Sequence, residues 1–588
     1  MKNIIKITVL ALLLTGCDDL FNPAIENNLG FEYMYENAEY AEGVLSNAYK
    51  RIPCDSYSFS EVATDDAVSN DVANNYRKMA AGSWKSDNNP TERWRNCNAG
   101  IMYMNLFLAN TDKVHWAEDP IAAEMYNDRM KGEAYGMRAM FMYYLLQAHG
   151  GWTADGQLLG VPIVTEPEDA STNFNRPRAT FKECMDAIYA DLNKALELLP
   201  TDYVDVESES GILAKYRGKA SLSQYNRVFG VKFRGRFSGR IAEAIRAQAS
   251  LLAASPSYSE GSGVTWQTAA EHAAVLLNRI NGVSGMAAKG GTWYNDSNIG
   301  SLKDGECPPE IIWRGIVSNN NSLEQDHYPP SIYGKGRINP TQNLVDAFPM
   351  VNGYPISASG SNYDAANPYN NRDPRLSAYI LYNGMKAGSG NTVINTAADG
   401  NTNDALNKEE GYSTRTGYYL RKLLNQDINL EPNVNSTQNH YKARIRYTEM
   451  YLIYAEAANE AYGPTAGGGN SYSAYDVVKA LRARAGIGAD NGDAYLESVK
   501  NDKDKMRELI RNERRLELCF EDFRFWDLRR WKANLNEEVK GVSITGSDPL
   551  NYATITVDSR EFKDYMYHGP VPYSELLKFN ELKQNKGW

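Results

Sequence analysis

Residues 120–149 set the strongest constraint on how this 588-residue chain can fold. They run unbroken by proline from Pro120 to the Gly150-Gly151 stop. Within them Ala134, Tyr135, Met137, Ala139, Met140, Phe141 and Tyr144 cover most of a helix's circumference. A helix that is apolar nearly all round must be buried on nearly all sides, so other helices have to surround it. Candidates are at hand. Helical spacing of apolar and small residues recurs at 36–52, 91–114, 180–199, 239–255 and 266–281, then at 443–462, 472–485 and 503–522.

Alanines fall where such helices would touch, as in Ala455-Glu456-Ala457-Ala458 and from Ala242 to Ala254. Paired helices of this length resemble tetratricopeptide hairpins, although the period is irregular. The expected fold is therefore mostly α, a stack of helical hairpins. Residues 282–440 break the pattern, being rich in Gly, Asn, Pro, Ser and Tyr. A segment this long is not one loop of a compact domain, so it is expected to form a loop-rich lobe on the helical frame. Strand-like pieces within it are Glu310-Ile311-Ile312-Trp313 and Ser377-Ala378-Tyr379-Ile380-Leu381. The division is then a leader over 1–16, the first part of the scaffold over 17–281, the lobe over 282–440 and the rest of the scaffold over 441–588.

The leader gives an address. Lys2 and Lys6 precede an apolar run from Ile7 to Leu14, which ends in Leu14-Thr15-Gly16-Cys17. That run is too short to span a bilayer, which takes about 20 residues in a helix. It reads as a secretory signal closing in a bacterial lipobox, with Cys17 lipidated and made the new N-terminus. The other cysteines (Cys54, Cys97, Cys184, Cys307 and Cys519) are odd in number and widely spaced. They show no zinc spacing. A disulfide is permitted outside the cytosol and buried free thiols are equally open.

Lys and Arg number 62 against 73 Asp and Glu, a net charge of −11, which argues against nucleic acid as a partner. No Gly-x-Ser-x-Gly elbow, phosphate loop or His-Glu-x-x-His helix is present. The acidic clusters Asp490-Asn491-Gly492-Asp493 and Asp502/Asp504 lack the register of a calcium loop, so no cofactor is expected, with a structural calcium ion left open. Paired carboxylates for glycoside hydrolysis need two side chains about 5–9.5 Å apart, which a sequence does not display, so a surface glycosidase stays open too.

Binding has better support. Tyr numbers 39 and Trp 10 against 16 Phe, a bias towards aromatics with a polar handle. Sugars pack flat C–H faces on such rings and need Asp, Asn and Arg for their hydroxyls. Two stretches offer the mixture. One runs from Thr64-Asp65-Asp66 through Asn70, Asn74, Asn75, Tyr76 and Arg77 to Trp84. The other is Trp293-Tyr294-Asn295-Asp296-Ser297-Asn298, followed by Tyr328 and Tyr333.

Several segments carry a resemblance. They include Gly132-Glu133-Ala134-Tyr135-Gly136-Met137-Arg138-Ala139 and Gly239-Arg240-Ile241-Ala242-Glu243-Ala244. Asn339 to Phe348, Asn371-Arg372-Asp373-Pro374-Arg375-Leu376 and the C-terminal Gln584 to Trp588 add to it. The most specific is Arg511-Asn512-Glu513-Arg514-Arg515-Leu516-Glu517-Leu518 with Phe523 to Trp531. Together they are similar to the SusD/RagB family of Bacteroidetes nutrient-binding lipoproteins over nearly the whole mature chain. Lys586, where the family often has Pro, is a small departure. The resemblance implies a tetratricopeptide-like scaffold with a variable lobe and a lipoprotein on the outer face of the outer membrane, anchored through Cys17. It implies as partner a SusC-like TonB-dependent barrel that the protein covers as a lid. Members bind oligosaccharides or peptides, and the Trp, Tyr, Asn and Asp of the two stretches favour a glycan. Trp84, Trp293 and Tyr294 are the expected stacking platforms, and Asp66 and Arg372 the expected hydroxyl binders, with Arg372 open to a structural role. The charged residues of 511–531 recur at helical spacings and are expected to lock the C-terminal helices through ion pairs.

Overall fold

The computed structural model describes residues 32–588; the leader 1–16 and Cys17 lie outside the described residues. Helices dominate. The first six used below are α1 (Ala38–Tyr49), α2 (Trp94–Asn110), α3 (Pro120–His149), α4 (Phe181–Leu198), α5 (Gly239–Ala254) and α6 (Trp266–Asn278). Near the C-terminus come α7 (Tyr447–Tyr462), α8 (Ala474–Arg484), α9 (Lys503–Glu517) and α10 (Arg524–Arg530). From α1 to α6 each packs on the next, and α7 packs directly on α6 although residues 279–446 separate them. The stack of hairpins thus continues across the lobe as if it were absent.

Local signals set the ends. Asp119 accepts from the backbone N–H of Ile121 and Ala122, and Pro120 occupies the first turn of α3, where a missing N–H costs nothing. Thr180 and Glu183 form a reciprocal capping box on α4. At the end of α3, Gly150 has φ −66°, so its role is space rather than left-handed geometry. A Cβ there would lie 2.7 Å from the Leu146 carbonyl oxygen. Met137, Ala139, Met140 and Phe141 are all buried, as the all-round apolar pattern demands.

The lobe has a core of its own. Trp293, Tyr328, Tyr379, Tyr418, Tyr419 and Leu420 pack together, joined from outside the lobe by Phe59, Val62, Leu516, Phe520, Val542 and Ile544. Its strands pair only in twos. β1 (Ala67–Ser69) pairs antiparallel with β4 (Ile338–Pro340), Val68 opposite Asn339. β2 (Ile311–Arg314) pairs with β6 (Ala443–Arg446), and β3 (Ser318–Asn320) with β5 (Gln438–His440). A longer hairpin, β7 (Val539–Thr545) and β8 (Asn551–Asp558), follows α10.

Three boundaries differ from the sequence expectation. Of the piece 377–381 only Ile380–Leu381 is a strand, because Asp373 caps a short helix at Pro374–Tyr379. The helix expected from 443 starts at Tyr447, since Ala443–Arg446 is used in pairing with β2. The helix expected to 522 ends at Glu517, beyond which Phe520 and Asp522 take left-handed backbone. The cysteines Cys54, Cys97, Cys184, Cys307 and Cys519 are free thiols, and no described helix is long and apolar enough to cross a membrane.

Candidate ligand groove

The five residues expected to contact ligand lie in the interior. Trp84 is 2 % exposed, edge-on to Trp588 at 4.8 Å and donating its Nε1–H to Asn89 (2.9 Å). Trp293 is 4 % exposed and Tyr294 8 %, with Trp293 packed on Tyr441 at 5.2 Å. Asp66 is fully buried and accepts from Arg515 at 2.7 Å. Arg372 donates to the backbone carbonyls of Pro368, Val345 and Phe348 at 2.5–2.8 Å, a structural clamp. Trp84, Trp293 and Tyr294 are therefore core aromatics rather than open platforms, and Asp66 and Arg372 are buried and bonded to partners inside the protein. This corrects the expected surface roles. Asx and aromatic loop residues carry no period, so sequence alone does not say which way they face.

Of the first stretch, Asn74 and Tyr76 do reach an open groove. Two cavities of about 370 and 750 Å³ adjoin there, and Ser56, Ser58 and Lys442 line both. One wall is the scaffold, with Arg93 just before α2 and Tyr143, Tyr144 and Gln147 on the last turns of α3. The other is the lobe, with Ser318 and Asn320 of β3, His327 and Arg337. The loop after α1 contributes Tyr57, and the first turn of α10 contributes Trp526. Tyr57, Tyr76 and Trp526 are half-buried, with ring surface left for contact.

Charge in the groove is organised by aromatic faces. Lys442 lies 3.5 Å from the Tyr57 ring centre and pairs with Asp522 at 3.2 Å. Arg93 sits between two rings, 4.7 Å from Tyr144 and 4.8 Å from Trp526, and donates to Gln147 at 2.6 Å. Its backbone N–H faces His149 Nε2 at 3.2 Å. The other ring nitrogen, Nδ1, faces the Pro570 carbonyl at 2.7 Å, which makes Nδ1 the protonated one. Burial pushes the His149 pKa down to about 4, so the ring is neutral at physiological pH. Beneath the groove, Gln248 donates to both oxygens of Glu449 (2.8 and 2.9 Å), whose pKa burial pushes up to about 7 against the pull of Arg514. Cys97, at the edge of the first cavity, is pushed up to about 12 by burial and is no thiolate.

Most of the Arg- and Glu-rich C-terminal segment turns away from this groove, which Glu521, Asp522, Phe523 and Trp526 of it line, and forms a buried ion lattice. Arg375 donates to Asp373, Glu513 and Glu517 at 2.7–3.0 Å. Arg482 pairs with Asp493 and Glu513, and Arg484 with Glu517, at 2.6–2.9 Å. Arg446 holds Glu310 and Glu521, both at 2.8 Å, and Lys422 holds Glu521 at 2.7 Å. The partners come mainly from the lobe and from other helices, so the lattice ties lobe to scaffold more than it staples a single helix. Burial works against ionisation of Glu517, yet Arg484 and Arg375 hold its pKa down to about 2. Asp493 and Asp502, from the two acidic clusters without a calcium register, cap helices. Among the described residues, no three His, Cys, Asp or Glu are grouped to hold a metal ion.

Sequence reasoning missed Arg93, Tyr57, Tyr144 and Trp526. The one available signal was at 525–526, where Phe525 is core and the adjacent Trp526 must face elsewhere.

A helical stack carrying a loop-rich lobe, with an open aromatic and polar groove between them, defines a binding scaffold. The chain belongs to the SusD family: that family's model matches residues 309–588, and a second, described as starch-binding associating with outer membrane, matches residues 31–229. Among curated relatives, SusD-like protein P38 of Formosa agariphila is 24% identical, the match covering 94% of each chain. Among solved structures, a SusD-like protein from Bacteroides fragilis superposes with TM-score 0.71 at 22% identity, covering 95% of this chain and 99% of that one. A SusD-like carbohydrate-binding protein from the same species gives TM-score 0.67 at 22% identity, covering 94% and 100%.

Proposed function

We propose that the protein is a surface lipoprotein, anchored through Cys17, that captures oligosaccharides in the groove between scaffold and lobe. It hands them to a SusC-like TonB-dependent barrel, over which it acts as a lid. The observation that carries the reading is the groove itself, where half-buried Tyr57, Tyr76 and Trp526 alternate with Ser, Asn and charged side chains. Rings take the C–H faces of sugars and the polar groups take hydroxyls, while an open trough suits a chain rather than a small molecule. Kinship with a carbohydrate-binding SusD-like protein and with a family described as starch-binding and outer-membrane-associated supports the same reading.

Capture and release need a hinge and a partner rather than bond-making groups. The buried lattice would let lobe and scaffold swing as one body against the barrel. Energy for import belongs to the barrel and its motor.

The test combines three measurements on the purified chain and the native envelope. Calorimetry against a glycan panel is expected to give saturable heat, incubation with the same glycans no hydrolysis products, and affinity purification from membranes a large β-barrel. Release of shorter sugars, or absence of both ligand heat and barrel, would sink the proposal.

A further inference from the structure

The groove is electrically unbalanced. Its carboxylates already have donors. Glu521 pairs with Arg446 and Lys422, Asp522 with Lys442, Asp55 with Arg444 and Asp326 with Lys335, while among the described residues Glu92 and Asp71 accept from backbone N–H groups and form no ion pair. The cations are not matched. Among the described residues, Lys50, Arg51 and Arg93 line the first cavity and form no ion pair. Arg337, in the second cavity, donates to the Gly411 carbonyl at 3.0 Å and likewise forms none. This excess sits in a chain whose net charge is −11, so it is a local feature set against the overall field.

Arg93 is also held ready. The rings of Tyr144 and Trp526 fix the plane of its guanidinium, and Gln147 takes only one nitrogen. A planar fork of donors fits a carboxylate or a sulfate better than it fits a neutral hydroxyl. Because the side chain is already immobilised, little freedom is lost on binding.

We propose that the groove selects acidic glycans. An anionic substituent of the sugar chain, carboxylate or sulfate, seats on Arg93 while the neighbouring ring packs on Trp526, and a second acidic unit meets Arg337. This rests on the reading of the groove as a glycan site.

The test uses the full chain and three oligosaccharide probes of matched length: an oligogalacturonate, a sulfated galactan fragment and a neutral laminarin fragment. At least one acidic probe is expected to bind about tenfold tighter than the neutral one, with affinity falling as salt is raised. Arg93→Gln removes most of that margin, costing the acidic probe several-fold more affinity than the neutral one, and Arg93→Lys restores part of it. Should the Arg93 variants misfold, Arg337→Gln is expected to narrow the gap between acidic and neutral probes about threefold. Which acidic probe binds separates carboxylate from sulfate. Equal or tighter binding of the neutral probe overturns acid selection and leaves glycan capture standing. Binding of no glycan, or of an acidic peptide alone, overturns both.

Discussion

Two sets of arginines in this protein are finished in different ways. In the lattice, Arg375, Arg446, Arg482 and Arg484 each meet one or more buried carboxylates, and Glu513 and Glu517 each serve two arginines. In the groove, Arg93 and Arg337 meet rings, an amide and a carbonyl, and no carboxylate among the described residues. A saturated guanidinium holds chain segments together. An unsaturated one at a solvent-facing trough retains donors for something else. The same residue type therefore reports structure or binding according to what surrounds it, and the motif richest in arginine marks the structural set.

The largest effect is expected when the lattice loses a carboxylate. Glu517→Ala takes from Arg484 its close carboxylate and from Arg375 one of three, and is expected to lower stability by about 3–5 kcal/mol, read as the denaturation midpoint. A loss below about 1 kcal/mol would mean that water already reaches the lattice. A second contrast sets core ring against groove ring. Trp84→Ala is expected to cost about 3–5 kcal/mol of stability, with the affinity of the folded protein for a glycan unchanged. Tyr57→Ala is expected to leave the midpoint nearly in place and to weaken glycan binding by about 1–3 kcal/mol in titration.

A pH series sharpens the boundary between the two regions. Glu449 lies under the groove with its folded pKa raised to about 7 from 4.5, chiefly by burial. Its contribution to stability is fully present below about pH 4.5 and is lost as pH rises through about 7. Glu449→Gln is therefore expected to gain on the parent between those limits, by about 1–3 kcal/mol at pH 8, in melts run across the range. A midpoint difference that is flat with pH would show Glu449 ionised throughout. The smallest effect is expected at an exposed pair. Lys182 and Asp186 lie one helical turn apart, both more than half exposed, and Lys182→Ala should shift stability by about 0.5 kcal/mol or less.

Much of the frame could be read from residue order because period fixes the face of a helix. The 120–149 span matches α3, and the apolar stripes at 180–199, 239–255 and 266–281 return as α4, α5 and α6. The charged stretch 511–531 announced ion pairs by its spacing. Its partners at Arg375, Lys422 and Arg446 were not legible, since they arrive from the lobe and the strand before α7. The groove was the least legible. Trp84 looks like a loop aromatic until Phe525 and Trp588, more than four hundred positions along, close over it. Arg93 looks like a solvated helix start until Tyr144 and Trp526 clamp it.

The lobe's interior borrows Leu516, Phe520, Val542 and Ile544 from near the end of the chain. During vectorial synthesis or secretion, residues 293–430 emerge first and must wait with Tyr418, Tyr419 and Leu420 uncovered until those late pieces arrive. Such long-range closure is slow, and it keeps the polypeptide loose for as long as its tail is missing. On the proposed reading of 1–16 as an export leader, a delay written into the topology favours passage over premature collapse.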